Sequence, residues 1–112
     1  MESFNNFDEL MIAMPKLAAE IDDYSANTDC TGWKNEPIYV YKDLTAFAKY
    51  ELTEGWYIEH NLSLDDDYNG APNPLDFIDW ESFSQALSED WDDRLHFLSL
   101  SGYVVETSGD LY

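Results

Sequence analysis

The stretch HFLSLSGYVVET at positions 96–107 is the clearest indication of the fold. Its two halves, His96–Leu100 and Tyr103–Thr107, are rich in the aromatic and β-branched residues that favour strands. Between them, Ser101-Gly102 is typical of a tight turn, so the stretch predicts an antiparallel β-hairpin. Upstream, the segment Pro37–Tyr41 (PIYVY) has the same composition and predicts one more short strand.

Apolar residues before these strands recur at helical spacing from Leu10 to Tyr24. Asn6 is a suitable N-cap for this pattern, and Glu9 three residues later completes a capping box. Pro15 interrupts it and leaves two alternatives. Either one kinked helix runs to about Tyr24, or a second helix begins with Pro15 at its first position.

Further helices are predicted in the middle of the chain. Asp43 is a suitable N-cap for a helix from Leu44 to about Thr53, and Gly55 is predicted to end it. Residues 56–64 are left open between strand and irregular structure, and residues 25–36 and 65–74 are predicted loops. Asn73-Pro74 then opens a helical segment, whose predicted buried stripe comprises Ile78, Phe83, Ala86 and Leu87. These elements predict an α+β fold, a small, mostly antiparallel sheet packed with two or three helices, in one domain covering residues 1–112.

The charge balance is the feature that bears most on function. The chain of 112 residues has 24 acidic residues against five lysines and arginines, a formal net charge of −19. Disordered acidic chains are poor in aromatic residues, whereas this one is 45% hydrophobic and 16% aromatic, so a folded domain is expected. A net charge with a magnitude of roughly 2–8 is sufficient to keep a small domain soluble. We therefore expect a strongly basic partner.

The same charge argues against direct binding to nucleic acid or to an anionic membrane surface. The N-terminus MESFNNFDEL lacks the basic and apolar regions of a signal peptide, and Cys30 is the only cysteine. No apolar run approaches the roughly 20 residues of a membrane-spanning helix. The sequence therefore predicts a cytoplasmic protein.

Catalytic signatures are weak. His60 and His96 are the only histidines, and neither lies in a local nucleophile or metal motif. Paired carboxylates occur by chance among 24 acids. We expect that the chain is not an enzyme and uses no cofactor.

Calcium binding is an alternative for the predicted 65–74 loop. Asp65, Asp67, Asn69 and Gly70 match positions of a twelve-residue calcium loop, and Asp76 matches its last position. Two prolines inside that loop stiffen the backbone, and the preceding residues do not predict an entering helix. We therefore expect a solvated acidic turn with no bound metal.

The density of acids is high enough to imitate nucleic acid. Duplex DNA carries one negative charge per roughly 1.7 Å, so 24 charges correspond to about 40 Å of duplex. The acids cluster at residues 20–23, 65–67, 76–81 and 89–93, each of which is a predicted turn or helix end. The residues predicted to stand in for phosphates are Asp65, Asp66, Asp67, Asp76, Asp79, Glu81, Glu89, Asp90, Asp92 and Asp93.

One segment, Pro74–Leu87 (PLDFIDWESFSQAL), resembles the C-terminal signature of the ArdA antirestriction proteins. That signature has a leucine, an aromatic-Ile-Asp-aromatic run, a further aromatic and a closing leucine. The matching residues here are Phe77, Ile78, Asp79, Trp80, Phe83 and Leu87. Residues 43–51, Glu54-Gly55, Leu100-Ser101-Gly102 and the 103–107 strand are also similar to the family, so the resemblance covers roughly residues 29–112.

The resemblance implies an acidic DNA mimic that occupies the DNA-binding groove of a type I restriction-modification enzyme, and it implies a possible homodimer. The chain departs from the family pattern at Gln85, in a longer 56–74 loop and in an apparent insertion at 89–95. These departures leave room for another target, such as a CRISPR-Cas complex.

The sequence therefore predicts an inhibitor that blocks the DNA-binding groove of a bacterial defence complex, of the restriction-modification or CRISPR-Cas kind. The alternative is an acidic immunity protein that neutralises a basic nuclease toxin through a local hot spot. Exposed rings among Trp33, Trp56, Trp80 and Trp91 would supply an apolar anchor, with core packing the preferred role for Trp80.

Overall fold

A computed structural model of the chain describes residues 1–26, 28–60 and 74–112. The strands are β1 (Glu2–Phe4), β2 (Ile38–Tyr41), β3 (His96–Leu98) and β4 (Val104–Thr107). The helices are α1 (Phe7–Ala13), α2 (Pro15–Ser25), α3 (Leu44–Tyr50), α4 (Tyr57–Glu59) and α5 (Trp80–Asp90). A π-helical turn, Glu51–Trp56, joins α3 to α4, and 3₁₀ turns cover Gly32–Asn35 and Pro74–Phe77. The predicted α+β class is confirmed.

The strands form one antiparallel sheet in the order β1-β2-β4-β3. The predicted hairpin is present as β3 and β4, with Phe97 opposite Val105. Gly102, in the turn, has a φ of 97°, which a side chain would disfavour. Strand β1 has no counterpart among the predicted elements, because three residues are too few to show an alternating pattern.

One face of the sheet carries the main hydrophobic core. Ile38, Val40 and Val105 project from this face onto α1 and α2. Trp33 lies at the centre with 0% of its surface exposed, and its indole N–H donates to Ser25 Oγ at 3.0 Å. The C-terminal segment closes the core, because Leu111 is also fully buried. We call this side the α1/α2 face.

Local signals explain the ends of α1 and α2. The side chain of Asn6 accepts a hydrogen bond from the Glu9 N–H at 3.0 Å, as the predicted cap requires. Helix α1 ends at Met14, and Pro15 is the first residue of α2. Of the two alternatives that Pro15 left open, the structure therefore has a second helix beginning at the proline.

The opposite side of the sheet is covered by α3, and we call it the α3 face. Tyr41 and Val104 project from this face against Phe47 of α3. The predicted cap is confirmed, since Asp43 accepts from the Ala46 N–H at 2.7 Å. The predicted end at Gly55 is wrong. The helical path continues through Gly55 to Glu59, because a glycine ends a helix by adopting a positive φ and Gly55 does not adopt one.

Helix α5 lies outside α3 and packs against it. The predicted buried stripe is therefore only partly correct, since Ala86 is exposed and Phe83 and Leu87 are half-buried. The one fully buried residue of α5 is Ser84. This layering, with α1 and α2, the sheet, α3 and then α5, accompanies an elongated shape of 52 × 23 × 23 Å.

Candidate functional site: an acidic surface

The acids predicted to stand in for phosphates are exposed wherever the structure describes them. They lie in the 3₁₀ turn before α5, along α5 and in the turn after it. This set comprises Asp76, Asp79, Glu81, Glu89, Asp90, Asp92 and Asp93. Asp65, Asp66 and Asp67 lie outside the described residues, as do Asn69 and Gly70 of the calcium-like pattern. Within the described residues, no three metal-ligating side chains converge on a common site.

At the N-terminal end of α5, acids stabilise the helix. Asp79 is its N-cap and accepts hydrogen bonds from the Ser82 N–H at 3.2 Å and the Ser82 hydroxyl at 2.8 Å. These bonds lower the pKa of Asp79, so its carboxylate stays charged at neutral pH. Glu81 follows in the first turn, where the helix dipole favours negative charge.

At the C-terminal ends of two helices, acids lie where the dipole disfavours them. Glu89 and Asp90 end α5, and Asp22 and Asp23 lie in the last turn of α2. Neither last turn contains a basic residue. Negative charge at this end is unfavourable by about 0.3–1 kcal/mol per group at low salt. The dipole therefore disfavours all four acids, and of these Asp22 is paired with a cation from outside its helix, Lys34.

The turn after α5 holds two further acids in defined positions. Asp92 accepts from the Arg94 N–H at 3.0 Å and from its guanidinium at 3.3 Å, and these contacts lower the pKa of Asp92. Asp93 accepts from the indole N–H of Trp91 at 3.0 Å. The turn therefore presents ordered carboxylates.

The fold joins two acidic clusters that are far apart in sequence. The Tyr24 hydroxyl, in α2, donates to the backbone carbonyl of Asp93 at 3.1 Å. Glu20 accepts from the Leu100 N–H at 3.1 Å, which ties α2 to the hairpin turn. Burial, with the nearby Tyr112 and Asp93, raises the pKa of Tyr24. The acids at residues 20–23 thus adjoin those at 89–93, a juxtaposition that no local pattern indicates.

Cations neutralise few of these carboxylates. Lys34 pairs with Asp22 at 2.7 Å and Arg94 with Asp92 at 3.3 Å. In the described part of the chain, Lys16, Lys42 and Lys49 form no ion pair, and the Lys49 ammonium lies 5.5 Å from the ring centre of Trp80. Most of the exposed acids that the structure describes therefore have no cationic side chain within ion-pairing distance.

A second group of titratable residues lies on the α3 face. His96 Nε2 lies 2.9 Å from Glu106, its cross-strand neighbour, and the ring stacks on Trp91. Burial alone would lower the pKa of His96, but hydrogen bonds to Glu106 and to the Asp92 carbonyl, with the charges of Glu106 and Glu51, raise it. Burial and repulsion from Glu106 raise the pKa of Glu51. The register of the predicted hairpin could have indicated that His96 and Glu106 are cross-strand neighbours. It could not have indicated that Glu51, from a distant part of the chain, lies near them.

A groove of about 480 Å³ opens between the 51–59 helical segment and α5. Leu52, Trp56, Phe83 and Leu87 give it an apolar floor, and Glu51 and Glu59 also line it. Trp56 is 48% exposed and is available as an apolar contact.

The other tryptophans are less exposed than Trp56. Trp33 cannot serve as an apolar anchor for a partner, because it is completely buried. Trp80 was expected in the core, but it is only half-buried and contacts Phe83 edge to face, and Trp91 is also half-buried.

The comparisons with known proteins found no matching family model, curated protein or solved structure. The likeness to the ArdA signature thus rests on the residues quoted above. Among the described residues, no helix is long and apolar enough to cross a membrane.

Proposed function

We propose that this protein is a DNA-mimic inhibitor, which binds the basic DNA-binding groove of a bacterial defence complex of the restriction-modification or CRISPR-Cas kind. The observation that carries the proposal is the set of exposed, largely unpaired carboxylates along α5 and in the turns at its two ends. The Tyr24 hydroxyl links the turn after α5 to α2, which carries further acids. A basic groove would attract such a surface and align it by charge.

The dimensions are compatible with mimicry. The long axis of 52 Å exceeds the roughly 40 Å of duplex DNA whose charge the 24 acids of the chain would match, so the molecule is long enough to present them as a strip. Because the interaction would be spread over many carboxylates, each single neutralisation is expected to weaken binding only slightly. Affinity should fall steeply with salt, as it does for DNA itself.

The placement of acids at helix C-termini also supports a role in binding. Glu89 and Asp90 oppose the dipole of α5 and have no cation in the last turn. A surface shaped for stability would place lysine or arginine at these positions. We infer that a basic partner supplies the missing positive charge.

An immunity protein for a basic nuclease toxin is the second candidate. The groove beside Trp56 favours it, because an exposed aromatic ring next to Glu51 and Glu59 has the character of a local hot spot. One or two substitutions there, such as Trp56→Ala, would then abolish binding. A DNA mimic would tolerate the same substitutions.

Competition against duplex DNA tests the proposal. Purified type I methyltransferase and a purified CRISPR surveillance complex are each loaded with fluorescent duplex, and the protein is titrated in at several salt concentrations. The wild type is expected to displace the duplex from at least one complex. The variant with Asp76, Glu81, Glu89 and Asp90 all changed to Lys should lose this activity at physiological salt.

The matched control carries the same four-charge reversal elsewhere, at Glu2, Asp8, Asp29 and Glu36, which are also exposed. Circular dichroism confirms that both variants are folded. We expect the control to keep most of the activity. Mimicry through the α5 surface is wrong if the α5 variant displaces DNA as well as the wild type.

A further inference from the structure

The turn of the β3–β4 hairpin holds an aliphatic side chain fully in solvent. Leu100 is 99% exposed. Its backbone is nevertheless well anchored, because the Gly102 N–H donates to the Ser99 carbonyl at 3.1 Å and the Leu100 N–H donates to Glu20 at 3.1 Å. Ser99 is buried and accepts from the Tyr103 N–H at 2.9 Å. The turn is therefore ordered around a leucine that contributes nothing to the core.

Leu100 belongs to a continuous apolar patch. Leu98 is 46% exposed, and it lines a shallow pocket of about 360 Å³ together with Leu100, Tyr24 and Phe97. The Tyr24 ring packs on Phe97 at 4.9 Å between centroids. Single exposed leucines are common on protein surfaces, but adjoining ones around an ordered turn are typical of interaction sites.

The charge around this patch is negative. Glu20 and Asp23 line the pocket, and its described lining residues include no lysine, arginine or histidine. The carbonyl of Asp93 accepts from Tyr24 at the edge of the patch, so the acids of the turn after α5 lie close by. An apolar protrusion with an acidic surround complements an apolar pocket with a basic surround.

We propose that the 98–102 hairpin turn is an anchor that inserts Leu100 into an apolar socket on the partner, and that lysines or arginines border this socket. The inference builds on the proposed function, since it names the part of the partner that would distinguish this protein from DNA. DNA binds the basic groove of such a partner mainly through its negative charge. The hairpin turn would add an apolar contact, which salt does not screen.

A second copy of the chain is a poorer occupant of the same patch. Pairing two copies here would bring Glu20 and Asp23 of each close to those of the other. Like charges facing each other across an interface oppose binding strongly. Charge complementarity thus favours a basic partner.

The first test compares two exposed aliphatic residues in the DNA competition assay. Leu100→Ala removes the anchor, and Ile12→Ala is the matched control, because Ile12 is 84% exposed on α1. Leu100→Ala is expected to weaken competition roughly tenfold with an unchanged dependence on salt, and Ile12→Ala by less than about twofold. If the wild type displaces DNA and both variants match it, the anchor is wrong and the proposed function stands.

The second test works whichever protein the partner is. The photo-reactive residue p-benzoylphenylalanine is placed at position 100 or, as a control, at position 12, in bacteria with restriction-modification and CRISPR systems and in bacteria making a nuclease toxin. Cross-linked peptides are then mapped by mass spectrometry. We expect position 100 alone to mark an apolar site next to lysine or arginine in the DNA-binding groove of a restriction-modification or CRISPR-Cas complex.

The other outcomes separate the two proposals. A cross-link from position 100 to an apolar site next to lysine or arginine on any other protein, including a nuclease toxin, supports the anchor and contradicts the proposed function. A cross-link to a second copy, or none above the position 12 control, overturns the anchor. DNA competition by the wild type then decides the proposed function separately.

Discussion

The two faces of the sheet differ in what fills them. On the α1/α2 face, aliphatic and aromatic side chains pack around the fully buried Trp33. On the α3 face, the fully buried cluster is small and aromatic, and partly buried ionisable groups, His96, Glu51 and Glu106, lie beside it. Helix α5 lies further out still, and Ser84 is its one fully buried residue. The fold thus separates the region that supplies stability from the region that carries exposed charge.

This separation explains how a domain of net charge −19 can remain folded. Self-repulsion among carboxylates weakens any compact state. Here the acids of α5 are a layer away from the main core, so they repel one another without interrupting its packing. Substitutions that act on one face and not on the other test this account.

The largest effect is expected at Trp33. Trp33→Ala removes a fully buried ring and its hydrogen bond to Ser25, and it should lower the free energy of unfolding by about 3–5 kcal/mol. Phe83→Ala, on the half-buried side of α5, should lower it by only about 1–2 kcal/mol. Urea unfolding followed by fluorescence measures both. Equal losses would contradict the division between the two faces.

The α3 face should make stability depend on pH. Because the pKa of His96 is higher in the folded protein than its ordinary value of 6.5, folding favours the protonated ring. This contribution is complete below 6.5 and is lost as the pH rises through the raised value. Glu51, whose pKa is also raised, acts in the same direction at lower pH.

Unfolding free energies measured from about pH 5.5 to about pH 9 should therefore fall with rising pH, and His96→Gln should flatten the upper part of the curve. His60→Gln, at an exposed position, is the control for the loss of an imidazole. A wild-type curve that is flat or rises across this range would show that the His96–Glu106 pair does not couple to folding.

A gain in stability is expected from removing acids at the end of α5. Glu89→Gln with Asp90→Asn relieves the unfavourable dipole interaction and should raise the free energy of unfolding by about 1 kcal/mol at low salt. The gain should shrink as salt screens the charges. Thermal unfolding at low and high salt provides the measurement. Destabilisation by this pair would mean that the acids make contacts that stabilise the helix.

An effect of similar size and opposite sign is expected at the link between the two acidic clusters. Tyr24→Phe removes the hydrogen bond to the Asp93 carbonyl and should lower the free energy of unfolding by about 0.5–1.5 kcal/mol. The chemical shifts of Asp92 and Asp93 amides should change, while those of β1 should not. If only α2 resonances shift, the hydroxyl does not hold the turn after α5.

Local sequence signals predicted much of the fold because their causes are local. Asn6 and Asp43 cap helices through hydrogen bonds that span three residues, and Pro15 begins a helix because its ring suits the first position. The errors have a physical origin too. Gly55 lies in a π-helical turn that is continuous with α3 and α4, and it does not adopt the positive φ by which a glycine ends a helix.

Composition, capping and the position of Pro15, then, were sufficient for β2, β3 and β4, for the starts of α1, α2 and α3 and for the exposure of the described acids around α5, since each depends on neighbours a few residues away. The meeting of the 20–23 and 89–93 acids, the His96–Glu106–Glu51 group and the position of Leu100 beside Tyr24 depend on contacts between residues far apart in sequence. Such contacts form only when the helices pack on the two sides of the sheet, because burial of apolar surface, and not the local chain, sets which distant residues meet.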